Sequence, residues 1–315
     1  MTGAATRNIE VWVPHDAAPE LIGPLPDNIV LSVWDGTGPL PSSPDLVEVY
    51  VPPFAPSRPV AEAMRAMSGL SVVQALTAGT DHLETHLPDD VVLCNARGVH
   101  DQSVSEWVVA VLLATVRELP ALAIAQEERR VRRRVTDTLS GKNVLILGHG
   151  SIGRAVERRL APFDVEICRV ASRHREGVHG PESLPELLPR ADVVVLLLPE
   201  TGKTRGIVDQ HFLELLPQDA ILINAARGGL IDQGALLASL QAGRIRVALD
   251  ATSPDPLPPE HPLWATPGVL YTPHIAGMTR TALPTLYQLV GEQLHRYSQG
   301  RSLRNIVPRV APSPS

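Results

Sequence analysis

The sequence predicts an α/β protein built on parallel, doubly wound sheets. Three observations predict it. Short apolar runs alternate with helical patterns along most of the chain. A glycine-rich turn, Gly148-His-Gly150-Ser-Ile-Gly153, directly follows one such run and opens a helix. The 315 residues are about two domains' worth, at roughly 150 per domain. Strands that alternate with helices in this rhythm form a parallel sheet with helices on both faces.

The cleanest elements lie between residues 143 and 272. Strands are predicted at 143–148, 165–170, 192–198, 220–224, 244–250 and 268–272, and helices at 152–160, 182–188 and 233–242. The first hundred residues repeat the rhythm more loosely. Runs at 9–13, 29–33, 47–51, 71–76 and 91–94 read as strands, and 59–67 as a helix, which gives a smaller α/β domain. A long helix is expected from Ser103, where Ser103-Val-Ser-Glu106 spells a capping box. The run 107–116 that follows is apolar on nearly every face, the pattern of a helix buried between domains or subunits. The arginine-rich stretch 127–134 reads as a solvated helix end. A last helix is expected over 280–297, and 311–315 as a frayed tail.

Composition excludes several function classes. Hydrophobic residues make up 44% and charged residues 20%, which is globular rather than disordered or fibrous. The longest apolar runs, 193–198 and 108–113, fall far short of the ~20 residues of a membrane span. A net charge of −6 gives no support for nucleic-acid binding. Cys94 and Cys168 lie in apolar runs and read as buried thiols, not a disulfide framework. Residues 1–8 hold no apolar signal core, and a soluble cytoplasmic protein is expected. No metal-binding cluster is read.

The turn carries the first chemistry. Gly148 permits the tight bend, Gly150 lets the backbone approach a pyrophosphate, and Gly153 lets helix and strand pack closely. The helix N-terminus then offers free N–H groups and the positive end of its dipole. The next strand decides which dinucleotide is held. NAD would need a carboxylate about 20 residues on. The chain there reads Val170-Ala171-Ser172-Arg173-His174-Arg175, with no acid and two arginines. A 2′-phosphate wants such donors, so NADP(H) is preferred and NAD(H) is possible.

A second constellation follows. Arg227 stands directly after the strand at 220–224, at the sheet edge where such folds bind ligands, and its fork suits a carboxylate. Asp255 lies in the loop after the next strand, and His274 after the one beyond. A histidine in that place is a natural acid/base, and a nearby carboxylate would orient its ring.

The ordered motifs GHGSIG, LLLPETGKTRG, INAARGGLID, ALDATSPDPLPPEHPLW and TPHIAG resemble the D-isomer-specific 2-hydroxyacid dehydrogenase family over nearly the whole chain. The resemblance implies a flavodoxin-like substrate domain of residues 1–98 plus 285–315, a Rossmann cofactor domain of residues 99–284, and a cleft between them. It implies that Arg227 binds the substrate carboxylate and carbonyl and that His274 is the general acid/base. Asp255 stands where the family places a glutamate, and its oxygens reach about 1.5 Å less. The loop must come closer, or a water must bridge. The backbone of Ala78 and Gly79 would hold the substrate carboxylate. Ser151 and Ile152 would contact the pyrophosphate, and Asp250 the nicotinamide carboxamide. Pro199, Thr204, Ala225 and Gly277 would line the cofactor crevice. Relatives use the region of residues 103–117 as a two-fold interface, so a homodimer is expected.

The implied activity is hydride transfer between NAD(P)H and C2 of a small 2-oxo or 2-hydroxy acid. NADP pools are mostly reduced, which favours a glyoxylate or hydroxypyruvate reductase. Two alternatives use the same fold. One is a formate-type dehydrogenase, which would place glutamine at Asp255. The other is an NAD(P)H-sensing binding protein that does not turn over. Phe54 and Trp264 could line a substrate pocket or pack under proline-rich loops.

Overall fold

The computed structural model describes residues 7–54, 57–84 and 86–308, and the tail expected at 311–315 lies outside them. The chain divides into two units, one drawn from Met1–His100 and Arg280–Ser315, the other from Asp101–Thr279.

In the first unit the elements are β1 (Ile9–Val13), α1 (Ala18–Ile22), β2 (Ile29–Val33), β3 (Val47–Tyr50), α2 (Arg58–Ala66), β4 (Val72–Gln74), α3 (Asp81–Glu84) and β5 (Val92–Cys94). The second unit holds α4 (Asp101–Val116), α5 (Leu119–Glu127), β6 (Asn143–Leu147), α6 (Ser151–Leu160), β7 (Glu166–Val170), α7 (Leu184–Leu187), β8 (Val193–Leu196), α8 (Gln210–Leu215), β9 (Ala220–Asn224), α9 (Gln233–Gln241), β10 (Ile245–Leu249) and β11 (Val269–Tyr271). The chain then returns to the first unit as α10 (Ala282–Ser298). The first unit takes up the chain again at Arg280, and Leu286, Tyr287, Val290 and Leu294 of α10 are buried against β1, β3 and β4.

Both sheets are wholly parallel. The first is ordered β2-β1-β3-β4-β5, the second β11-β10-β9-β8-β6-β7. Beyond β7 one parallel bridge, Val170 to His179, is a rudiment of a further strand. With it, the order around β6 becomes the common dinucleotide-binding arrangement. That rudiment is too short to leave an apolar run in the sequence.

Several expectations need correction. The long helix begins at Asp101, so Ser103 lies buried inside its first turn rather than capping it. Glu106 instead accepts from the side chain of Gln102, one helical turn back, at 3.0 Å. The apolar face of α4 packs on α6 and the second sheet, through Val108, Leu112 and Val116, so its own unit accounts for much of its burial. The apolar side chains left outside lie further on, at Leu119, Ile124, Val131 and Val135. Most of 127–134 is irregular chain, with Arg134 paired to Glu118. The helix expected at 182–188 is one α-turn flanked by 3₁₀ turns, because Pro181, Pro185 and Pro189 interrupt it.

Candidate active site

The turn after β6 is built for close approach. Gly148 has φ +113°, and a Cβ there would lie 2.5 Å from the Leu197 carbonyl. A Cβ at Gly153 would lie 2.3 Å from the Gly148 oxygen. A Cβ at Gly150 would meet nothing within 4 Å, so the turn is open on that side. Gly150 caps α6 with no side-chain bond, whereas Asp209 and Asp232 cap α8 and α9 through their carboxylates. The first N–H groups of α6, at Ser151 and Ile152, therefore remain available to an anion. These residues fit a dinucleotide pyrophosphate.

A chain of charges lies beside that turn. Arg175 donates to the His149 carbonyl at 3.0 Å and lies 3.3 Å from its Nδ1. A guanidinium only donates, so Nδ1 accepts and His149 carries its proton on Nε2. Nε2 donates to Glu157 at 2.6 Å, and the other Glu157 oxygen pairs with Arg169. The Arg169 hydrogen bond, with smaller help from His149, holds the Glu157 carboxyl down at about 2. Reciprocal backbone bonds between Arg175 and Val178 fix the base of the arginine. Ser172 and Arg173, singled out from the sequence, are exposed beside it. The contact to the phosphate turn is made by Arg175.

The second constellation forms at the carboxyl ends of three neighbouring strands, β9, β10 and β11. Asn224, fully buried at the end of β9, donates to the carbonyls of Arg227 at 2.8 Å and Ala251 at 3.2 Å. It thereby ties the arginine's loop to the loop that carries Asp255. The two loops touch: a Cβ at Gly228 would lie 2.0 Å from the Thr252 carbonyl. Arg227 also donates to the Ala226 carbonyl at 2.9 Å.

His274 adopts φ +56°, which is uncommon for a residue with a side chain. Its N–H donates to the Asp250 carbonyl at 2.8 Å and the Thr272 carbonyl at 3.0 Å. Its Nδ1 lies 2.6 Å from Asp255 Oδ2, and its side chain is 49% exposed. The shorter carboxylate thus reaches the imidazole directly, because the loop comes close. With Asp255 ionised, Nδ1 carries a proton for that bond and Nε2 is left to the solvent side.

Asp250 directly follows β10 and supports the His274 loop. It is 2% exposed, and both oxygens are occupied within the protein. Oδ1 accepts from Thr272 Oγ1 at 2.6 Å and from Ile275 N at 2.8 Å, and Oδ2 from Ala276 N at 2.8 Å. Its place is beneath the His274 loop, which it holds. Trp107 of α4 donates to Thr272 Oγ1 at 3.1 Å and extends that support.

A family model for the NAD-binding domain of D-isomer specific 2-hydroxyacid dehydrogenases matches residues 109–276. The chain belongs to the D-isomer specific 2-hydroxyacid dehydrogenase family. It is 29% identical to a glyoxylate reductase of Aeropyrum pernix over 95% of this chain and 96% of that one. It spans about half the length of the curated D-3-phosphoglycerate dehydrogenases it matches. A family structure from Xanthobacter autotrophicus Py2, in complex with NADPH and MES, is similar at TM-score 0.83 and 28% identity, covering 96% of this chain and 98% of that one. An NADPH-dependent glyoxylate/hydroxypyruvate reductase of Sinorhizobium meliloti, in complex with NADP and sulfate, is similar at TM-score 0.81 and 27% identity, with the same coverage.

Membership in this family of oxidoreductases frames the remaining residues. Thr204 Oγ1 donates to the Pro199 carbonyl at 2.7 Å and closes the loop after β8. Ala225 N reaches the Leu196 carbonyl at 3.4 Å, and the Gly277 carbonyl accepts from Thr279 at 3.2 Å. In the first unit, Asn95 holds the Ala78 carbonyl at 2.9 Å and Thr77 the Gly79 carbonyl at 2.7 Å. No described residue accepts from the N–H of Ala78 or Gly79. Trp264 packs edge-on against Tyr271, with centroids 5.0 Å apart, and donates to the Pro258 carbonyl at 2.9 Å. That is packing on its own proline-rich loop. Asn224, Thr272, Trp107, His149 and Glu157 were not singled out from the sequence. The strand-end positions of Asn224 and Thr272 could have flagged those two.

Proposed function

We propose that this protein is an NADPH-dependent reductase of small 2-oxo acids that yields the D-2-hydroxy acid, with glyoxylate and hydroxypyruvate as its leading substrates. The observation that carries the reading is the 2.6 Å contact between His274 and Asp255, on the same sheet edge as the Arg227 loop. The bound cofactor supplies a hydride to C2 of the substrate. Arg227 and the N–H groups of Ala78 and Gly79 hold the carboxylate. His274 passes its Nε2 proton to the C2 oxygen as negative charge develops there. Asp255 stabilises the imidazolium before that transfer and sets which nitrogen delivers the proton.

The preference for NADPH rests on the missing acid at Ala171 and on Ser172, Arg173 and Arg175. Two structural neighbours hold NADPH or NADP, which supports it. We also infer a homodimer, on the apolar side chains left outside at Leu119, Ile124, Val131 and Val135. We place the protein in the cytoplasm, since both cysteines are free thiols.

The deciding experiment follows NADPH oxidation with a panel of 2-oxo acids. Turnover of glyoxylate or hydroxypyruvate supports the reductase. Tight NADPH binding with no turnover of any acid would make the protein a sensor.

A further inference from the structure

In the first unit's sheet, order β2-β1-β3-β4-β5, the direction of winding reverses between β1 and β3. Open α/β sheets take ligands outside the carboxyl ends of their strands at such a reversal. Two rings stand there. His15 follows β1 by two residues and Phe54 follows β3 by four, with centroids 5.7 Å apart. Phe54 is 42% exposed. Tyr287 of α10, wholly buried, meets the His15 ring edge-on with centroids 5.8 Å apart.

Hydrogen bonding sets the state of His15. The Tyr287 oxygen is wholly buried and lies 2.7 Å from His15 Nδ1, and no other described group accepts its proton. The phenol's one proton therefore goes to Nδ1. Burial lowers the His15 pKa from its ordinary value, against a smaller upward pull from Asp16, and so favours the neutral ring. A neutral ring that accepts at Nδ1 carries its proton on Nε2. No described residue accepts from that nitrogen. The outcome is one N–H donor, locked in one tautomer, beside an exposed phenyl ring at the ligand edge of the sheet.

We propose that His15 recognises an oxygen on C3 of the 2-oxo acid, and so selects hydroxypyruvate-like acids over those with a bare methyl. The proposal rests on the reductase function above. The Ala78–Gly79 loop follows β4, and β1 lies two strands from β4, about 9–10 Å away. A three-carbon acid spans about 4–5 Å from its carboxylate to an oxygen on C3, and a hydrogen bond of about 2.9 Å at each end covers the rest. Pyruvate would strip water from Nε2–H without replacing it, which costs affinity. Glyoxylate has no C3 and leaves room for a water.

The test compares kcat/KM for hydroxypyruvate, pyruvate and glyoxylate in wild type, His15→Leu and His15→Gln. Wild type is expected to favour hydroxypyruvate over pyruvate by about tenfold or more, from one hydrogen bond. His15→Leu should shrink that ratio to within about threefold while changing glyoxylate less than threefold. His15→Gln, whose amide can place an N–H near Nε2, should recover most of the ratio. Melting temperature and NADPH affinity verify that each variant is folded. A ratio that survives in His15→Leu, or an equal loss on all three acids, overturns the role of His15 and leaves the reductase intact. Failure of wild type on every acid removes the reductase function, and this proposal with it.

Discussion

Nδ1 of His274 and Oδ2 of Asp255 stand 2.6 Å apart although they come from loops after different strands, 19 residues apart in the chain. The contact lets a carboxylate one methylene shorter than the family's glutamate orient the imidazole. Asp255→Asn keeps the shape and removes the charge. It should cut kcat by about 10- to 100-fold, a modest share of acid–base contributions. His274→Ala should cost more. Steady-state rates decide the matter, and an unchanged kcat in Asp255→Asn would remove Asp255 as partner.

Asp250 should matter through geometry. Both oxygens accept backbone N–H groups from the His274 loop. In Asp250→Asn the amide must turn an N–H toward one of those donors. The expected loss is about 1–3 kcal/mol of stability, the cost of an unsatisfied buried group, together with a fall in kcat. Chemical denaturation and kinetics on the same preparation test both. A variant as stable and as active as wild type would contradict the assignment.

Cofactor choice should follow the arginines. kcat/KM for NADPH is expected to exceed that for NADH by tenfold or more, roughly 1.4 kcal/mol. Arg173→Ala and Arg175→Ala should each raise KM for NADPH and leave NADH nearly unchanged. Isothermal titration with adenosine 2′,5′-bisphosphate and with AMP gives the same comparison without turnover. Equal use of both cofactors by wild type would end the argument.

Glu157 makes a pH-dependent contribution to stability. Its carboxyl is lowered from an ordinary 4.5 to about 2 by Arg169 and His149. The unfolded chain therefore takes up that proton first as pH falls. The stabilisation is complete above about 4.5 and is lost as pH drops toward 2. Glu157→Gln should melt below wild type at pH 7, and the gap should narrow by about pH 3. A gap independent of pH would assign the effect to packing instead.

Assembly is tested most simply. Light scattering at micromolar concentration should give about twice the 33.9 kDa of one chain. Ile124→Lys with Val131→Glu, both on the exposed apolar stretch, should shift the mass toward one chain. A wild-type mass of one chain refutes the dimer.

By itself the sequence determined the fold class, most strands to within one or two residues, and the phosphate turn. These are written locally: apolar runs mark buried strands, and three glycines at fixed spacing mark a turn where backbone must pass close to backbone. The strand-end positions of Arg227, Asp255 and His274 were legible for the same reason. Where helix α4 begins was not, since Ser103 and Glu106 spell a cap that Asp101 and Gln102 displace. Which groups meet was decided only by the tertiary structure. Strand order and register bring Asn224 to Ala251, Asp250 to the loop of His274, Arg175 to His149, and Tyr287 to His15 across 272 residues. The anchoring of Arg175 at the phosphate turn, and of the His274 loop on Asp250, turned on such meetings. A residue's type states which hydrogen bonds it can make, but its partners are set by where parallel strands of different chain segments end side by side.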